Sequence, residues 1–374
     1  MRKPEDELAQ LQQASLLRSI PDEEASLINF ASNDYLGLAR HPGIAEAWTD
    51  AIQRYGNGST ASRLICGTSP AHRELESTLA EAKGTEAAIS FATGYSTSVG
   101  ILTSLLQKGD TVILDKLCHA SLIDGARMSG ATIRVFPHNH LPKLRTLLTS
   151  TADKASSDSR TLVVTESIFS MDGDAAPLKE ISDLCKEYQA LLMVDEAHGL
   201  GILGPTGMGL AEKLGLQGAI DFHMGTLGKA AGVGGGYLAA KQIWVDLFIN
   251  RARSFIYSTA PPPAQAAASA EAIRIIRSQE GAQLRQRLWQ NISTLQDALQ
   301  LPKQPGSAII PWMIGESKEA LQLSKILRDL GMRVPAIRYP TVPRKTARLR
   351  ITLSAAHNPS EISELAKTLI DRSQ

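Results

Sequence analysis

Residues 221–236 read DFHMGTLGKAAGVGGG, a short apolar run that leads into a lysine set among glycines. From Gly225 to Gly236 half of the residues are glycine and none is acidic, so Lys229 has no local partner. A lysine so placed is either a snorkelling surface side chain or a reactive amine held where the backbone comes close to something flat and charged. The flanking segments decide between the two. DFHMGT (221–226) is followed by GGYLAA (235–240) and preceded by AAISF (87–91), TVILD (111–115), ATIRVF (131–136), TLVVTE (161–166) and ALLMVDE (190–196). Several of these runs are apolar nearly throughout, which is how strands buried on both faces read. Helix-like stretches, among them SLIDGARMSG and PLKEISDLCKEYQ, separate most of them. The alternation predicts an α/β fold with a mostly parallel seven-stranded sheet covered by helices.

Beyond a long helical region, PPPAQAAASAEAIRIIRSQEGAQLRQRLWQNISTLQDAL, the character changes. SAIIPWMIG, KEALQLSKILRDLG, MRVPAIR, ARLRITL and PSEISELAKTLID read as strand, helix, strand, strand and helix, a smaller C-terminal α/β domain. The last helix announces its start with Asn358 as N-cap, Pro359 at the first position and Glu361 at the third. The chain of 374 residues exceeds one core at ~150 residues per domain. The expected division is an N-terminal segment (1–42), a large domain (43–280) and a small domain (281–374).

Composition removes several function classes. Hydrophobic residues at 43% and charged residues at 21% describe an ordinary soluble globular protein, and a net charge of +1 gives no reason to expect nucleic acid or an anionic membrane as partner. Three scattered cysteines (Cys66, Cys118, Cys185) argue against a disulfide framework and fit a reducing cytoplasm. MRKPEDELAQLQQASLLRS at the start lacks the apolar core of a signal peptide. AAISFATGYSTSVGILTSLL (87–106) is long enough to span a bilayer, but half of it is Ser, Thr, Gly or Tyr, so it reads as strand, loop and helix start.

Three motifs fail on context. GLGILG (199–204) matches G-x-G-x-x-G, but DEAH separates it from the strand and GPTGMG follows where a helix should begin. GKA (228–230) lacks the hydroxyl residue and upstream glycine of a P-loop. The pairs Cys118–His119 and His138–His140 have no second cluster at a zinc spacing, so no metal is expected.

One constellation survives. In open parallel sheets chemistry gathers at the carboxyl ends of strands. Asp195 stands at such an end, His198 follows three residues on, and Lys229 lies beyond the end of the next strand. This is the set that pyridoxal phosphate chemistry requires. The lysine forms an imine with the cofactor aldehyde, so its amine must lose its proton easily, which burial favours. A carboxylate, Asp195, holds the pyridine nitrogen protonated so that the ring accepts electrons; the ion pair lowers the carboxylate's own pKa. His119, in DKLCHASL after TVILD, can stack its flat ring on the pyridine. TGYSTS (93–98), after AAISF, offers backbone N–H groups and hydroxyls for the phosphate, and Thr226 adds a hydroxyl beside Lys229.

With NFASNDYLGL (29–38), SIFSMDGD (167–174), VDEAHGLG (194–201) and TLGKA (226–230) in this order, the chain resembles the α-oxoamine synthases, pyridoxal-phosphate enzymes of the aspartate-aminotransferase fold, fold type I. The resemblance runs from about Asn29 to His357. IYSTAPPPAQA (256–266) and PTVPRKTARLRITLSAAH (340–357) look most like the branch that condenses L-alanine with a pimeloyl thioester, on coenzyme A or a carrier protein, releasing CO2 in biotin synthesis. The resemblance implies roles. Lys229 carries the cofactor and then moves the substrate α-proton, Asp195 pairs with the pyridine nitrogen, and His198 hydrogen-bonds the phenolic oxygen. His119 stacks on the ring, and Ser170 lies near the phenolic oxygen. Gly94, Tyr95 and Thr226 contact phosphate, with Ser258 and Thr259 supplied across a homodimer interface. Arg350 binds the alanine carboxylate. Arg348 shares its face of the strand by period two, so the choice between the two arginines rests on the resemblance. Arg63, after GNGSTAS where the family often has Ser-Gly-Gly-Ser, is placed toward the thioester, and Arg18 is the counterpart of an N-terminal arginine for the distal pimeloyl carboxylate.

Rival readings are a sister synthase using glycine or serine with another acyl-CoA, a non-catalytic regulator that senses the cofactor, and a nicotinamide dehydrogenase resting on GLGILG. The regulator lacks an appended DNA-binding segment, and the dehydrogenase fails on context. The sister synthase keeps every pyridoxal residue, so amino-acid preference separates it.

Overall fold

In the computed structural model, which describes residues 3–14, 16–18, 20, 26–154, 156–302 and 306–372, the seven apolar runs form one sheet. Its strands are β1 (Ala87–Phe91), β2 (Thr111–Asp115), β3 (Thr132–Phe136), β4 (Thr161–Glu166), β5 (Leu191–Asp195), β6 (Phe222–Thr226) and β7 (Gly236–Ala240). They lie in the order β1-β7-β6-β5-β4-β2-β3. All run parallel except β7, which is antiparallel to both of its neighbours. Alternate strand residues enter two separate apolar layers. Val112, Leu162, Met193, Phe222 and Leu238 pack on one face, and Ile113, Val163, Leu192, Val194 and Ala239 on the other. Helices cover both faces, which is why these strands are apolar throughout.

The register places the chemistry. Glu166 pairs with Asp195, and Asp195 with Met224, so the carboxyl ends of β4, β5 and β6 lie level. Helix α1 (Gly94–Leu105) begins beside them. A Cβ on Gly236 would sit 2.7 Å from the Gly94 nitrogen, so only glycine lets β7 come this close to the start of α1.

The small sheet consists of β8 (Ile309–Gly315), β9 (Ala336–Ile337) and β10 (Ala347–Thr352), with β10 central and antiparallel to both. Helices α2 (Ser317–Asp329) and α3 (Pro359–Asp371) accompany it, the latter with the capping box expected of Asn358 and Glu361. MRVPAIR, expected as one strand, is broken at Val334–Pro335 because proline has no N–H for a ladder. Met332–Arg333 pairs instead with Ile28–Asn29, and Arg350 donates its backbone N–H to the Pro335 carbonyl. The N-terminal motif is thereby drawn onto the small sheet, where Thr352 donates its N–H to the Phe30 carbonyl. Among the described residues no helix is long and apolar enough to cross a membrane, and 87–106 divides into β1 and α1.

Candidate active site at the carboxyl ends of the strands

A cavity of about 180 Å³ opens at the level ends of β4, β5 and β6. It is lined by Gly94, Tyr95, His119, Asp195, His198, Thr226 and Lys229, seven of the residues singled out in the sequence, and by Glu166, which was not. β5 delivers Asp195 on its last residue, and the following turn brings back His198. The turn after β6 delivers Lys229, held by Thr226, whose hydroxyl donates to the Gly235 carbonyl and accepts the Gly228 N–H.

Lys229 lies deep in the cavity, with Nζ 2.7 Å from His198 Nε2. Burial pulls its pKa down to about 8, against the opposing pull of the Asp195 and Glu166 carboxylates. His198 is held well below its usual range, first by burial and then by the charges of Lys229 and Arg350, so the ring is neutral. Its other nitrogen, Nδ1, is 2.5 Å from the Tyr35 hydroxyl, which donates to Asn33 Oδ1. The neutral ring is thus held between two protic partners, Tyr35 on one nitrogen and Lys229 on the other. Burial lifts the Tyr35 phenol to about 12, which keeps it a donor.

Asp195 accepts the Ala197 N–H on Oδ1, while Oδ2 has no hydrogen-bond partner among the described residues. Burial raises its pKa, and Lys229 opposes the rise. Lys229, the Ala197 N–H and His119 pull the other way without overcoming burial, and a protonated pyridine would add to their pull. Glu166 is pushed well above the carboxylate range, by burial and then by the Asp195 charge. Glu166 Oε1 also accepts the backbone N–H of His119, fixing that residue at the head of its helix. His119 Nδ1 accepts from Ser121, and burial lowers the ring's pKa, so it too is neutral.

The first-turn N–H groups of α1 have no intrahelical partner. Thr93 Oγ1 takes that of Ser96, leaving those of Gly94 and Tyr95 at the cavity. The Tyr95 hydroxyl is engaged by Asp124 at 2.8 Å, so only its backbone is available to an anion. A flat pyridinium with an aldehyde and a phosphate finds matching groups here: an amine that deprotonates readily, a carboxylate oxygen without a partner, a neutral ring and a helix start.

Beside the cavity, Arg350 is buried. It donates from Nε to the Ser170 carbonyl at 2.7 Å, from Nη1 to Thr352 Oγ1 at 2.9 Å and from Nη2 to Asn33 Oδ1 at 3.1 Å. All three acceptors are neutral, and two of the five N–H groups remain. Arg348 instead donates to Asp172 Oδ1 at 2.6 Å. The two arginines do share a face, but among the described residues only Arg348 has a carboxylate, which separates them in a way the sequence did not.

Other sites fall outside the cavity. Ser170 is not among its lining residues and meets the site through its carbonyl on Arg350. Ser258 and Thr259 also lie away from it, on the segment bearing the exposed Tyr257. Arg18 is on an exposed stretch after the N-terminal helix and does not line the cavity. Arg63 lies outside it as well. It is buried, grips both oxygens of Glu76 at 2.8 and 2.9 Å and bonds Ser90 and Thr68, because a buried guanidinium takes a two-pronged carboxylate where one is offered. Its side chain is committed to these partners and does not line the cavity. Cys118 donates to the Val164 carbonyl, and His140 caps a helix through Lys143.

Comparison with known proteins agrees with this geometry. Residues 25–369 match the family described as aminotransferase class I and II. The chain is 44% identical over 371 residues to the 8-amino-7-oxononanoate synthase of Geobacter sulfurreducens, covering 95% of this chain and 94% of that one. It is 45% identical over 339 residues to the enzyme of the same name from Trichlorobacter lovleyi, covering 90% and 86%. Among solved structures, Sphingomonas wittichii serine palmitoyltransferase superposes with a TM-score of 0.90 at 30% identity, covering 98% of this chain and 96% of that one. The 8-amino-7-oxononanoate synthase of Francisella tularensis gives 0.78 at 26%, covering 94% and 98%. A serine palmitoyltransferase from S. paucimobilis was solved with a pyridoxal-phosphate–myriocin aldimine. The fold and cavity define a fold type I pyridoxal-phosphate enzyme. The chain belongs to the aminotransferase class I and II family and, within it, to the α-oxoamine synthases.

Proposed function

We propose that this enzyme condenses L-alanine with a pimeloyl thioester, on coenzyme A or a carrier protein, to give 8-amino-7-oxononanoate, CO2 and free thiol. The observation that carries the reading is Arg350, a buried guanidinium whose contacts are all neutral. Burying a charge without a counter-ion is costly, and a substrate carboxylate supplies the missing partner in a two-pronged way. Pyridoxal phosphate, when bound, supplies an electron sink conjugated to the α-carbon. The chain's own residues do the rest. Arg350 fixes the carboxylate, Lys229 Nζ takes and returns the α-proton, and His198 Nε2 steadies the amine between transfers. For the bound cofactor, Asp195 would keep the ring nitrogen protonated, His119 would supply a flat neutral ring beside it, and Gly94, Tyr95 and Thr226 would hold the phosphate. In the net reaction the acyl carbon bonds to the alanine α-carbon and the thiol leaves. The carboxylate then departs as CO2, and a proton takes its place.

The same reading includes a homodimer in the cytoplasm. Leu64, Ile65 and Tyr257 form an exposed apolar shelf next to Ser258 and Thr259, which suits a second copy that brings those hydroxyls to the opposite site. All three cysteines are free. The division at residues 42 and 280 and the pairing of Arg18 with the distal carboxylate belong to the reading too.

The serine palmitoyltransferase neighbours favour a second reading, a synthase that takes serine. Titrating the cofactor-loaded protein with L-alanine, glycine and L-serine while recording its visible absorption separates the two. Alanine is expected to shift the spectrum at the lowest concentration; a preference for serine or glycine overturns the assignment and keeps the chemistry.

A further inference from the structure

His138, part of the His138–His140 pair that suits no metal, lies just beyond β3 and meets a carboxylate at each ring nitrogen. Nδ1 is 3.1 Å from Asp115 Oδ1, and Nε2 is 2.7 Å from Asp174 Oδ2. The ring stands edge-on to Phe169 with centroids 4.3 Å apart. Two carboxylate neighbours require a proton on both nitrogens, an imidazolium. Burial disfavours that charge, but the two carboxylates outweigh it and lift the pKa to about 10.

The partners belong to different parts of the molecule. Asp115 ends β2, is buried, and also holds the backbone N–H groups of Leu117 and Asn139. Asp174 closes the loop SIFSMDGD. That loop folds on itself, with Phe169 N–H donating to the Asp174 carbonyl and Gly173 N–H to the Phe169 carbonyl. Its far side meets β10: the Ser170 carbonyl accepts Arg350 Nε, and Asp172 and the Met171 carbonyl accept Arg348 Nη1. Gly173, at φ +72°, lies so close to β8 that a Cβ would come 2.3 Å from the Ile309 carbonyl oxygen. The loop is thus held from both sides, by His138 from the large sheet and by two arginines from the small one.

We propose that His138 is a positioning residue for amino-acid binding: bridging Asp115 and Asp174, it fixes the 169–174 loop, and the Ser170 carbonyl then sets the plane of the Arg350 guanidinium. The inference rests on the reading of Arg350 as the carboxylate holder. An acyl donor does not depend on that plane, so the clamp affects one substrate and not the other.

Asp174→Asn keeps the shape of a partly exposed side chain and removes its charge, and His138→Gln removes the bridge. Each is studied in the full-length, cofactor-loaded protein by alanine binding from the visible spectrum and by KM for each substrate. Hydrogen exchange of the Phe169 and Gly173 amides is followed in the apoprotein. The expected result is roughly tenfold weaker alanine binding and faster exchange of both amides. Cofactor affinity and the acyl-donor KM should stay within about twofold, and the double variant should be no worse than His138→Gln alone. Unchanged alanine affinity in Asp174→Asn and His138→Gln overturns the proposal, as does a parallel rise in both KM values with loss of cofactor, the signature of general loosening. Arg350→Lys separates the two levels. If it weakens alanine binding while the clamp variants do not, the clamp alone is wrong; if it binds alanine normally, the role of Arg350 and the clamp fall together.

Discussion

Lys229→Ala is expected to lose at least about four orders of magnitude in condensation activity and all covalent attachment of the cofactor, because among the described residues no other buried amine lines the cavity. Borohydride reduction followed by mass analysis reads the attachment directly: one cofactor per native chain, none in the variant. The pH dependence carries a sharper signature. Burial brings the native amine to about pKa 8, so it is increasingly neutral as pH rises through that value. Capture of the cofactor by the apoprotein should therefore rise about tenfold per pH unit below 8 and level off above it. An exposed lysine, with pKa near ~10.4, would keep rising for about two further units. A plateau only above pH 10 would remove the argument that burial activates this residue.

Asp195→Asn is expected to bind and covalently capture the cofactor nearly as well as the native protein, yet turn over about a thousandfold more slowly, roughly 4 kcal/mol of transition-state stabilisation. The reason is electrostatic. An amide cannot hold a proton on a pyridine nitrogen, so the ring loses its capacity to take up the charge left when the α-proton departs. Glu166 stands next to Asp195 in register, but burial pushes its pKa well above the carboxylate range and its Oε1 is already taken by the His119 N–H, so it is a poor substitute. Loss of less than about tenfold in Asp195→Asn would assign the electron-sink role elsewhere.

Lys229, Asp195 and His198 were legible because each follows closely on an apolar strand, and a parallel sheet presents those ends on one edge. Glu166 carries the same signal, an acid ending TLVVTE, but only strand order sets it beside Asp195. Asn33 and Tyr35 sat inside a motif that marked the family without showing its contacts. Asn33 reaches Arg350 across 317 positions and Tyr35 reaches His198 across 163, pairings that no local pattern encodes. The loop before Arg63 gives no sign that the side chain turns inward to Glu76, thirteen residues on, in a helix that folds back over it. Period two placed Arg348 and Arg350 on one face, but only the position of Asp172 reveals which of them is left without a carboxylate.

The central claim is decarboxylative condensation at one site, and carbon balance tests it most directly. The protein is supplied with pyridoxal phosphate, pimeloyl-coenzyme A and L-alanine labelled in its carboxyl carbon, and thiol, labelled CO2 and amino ketone are counted together. Equal amounts of all three, with the product mass of 8-amino-7-oxononanoate and no label in it, are the predicted result. Thiol released without CO2, or label retained in the product, would contradict it.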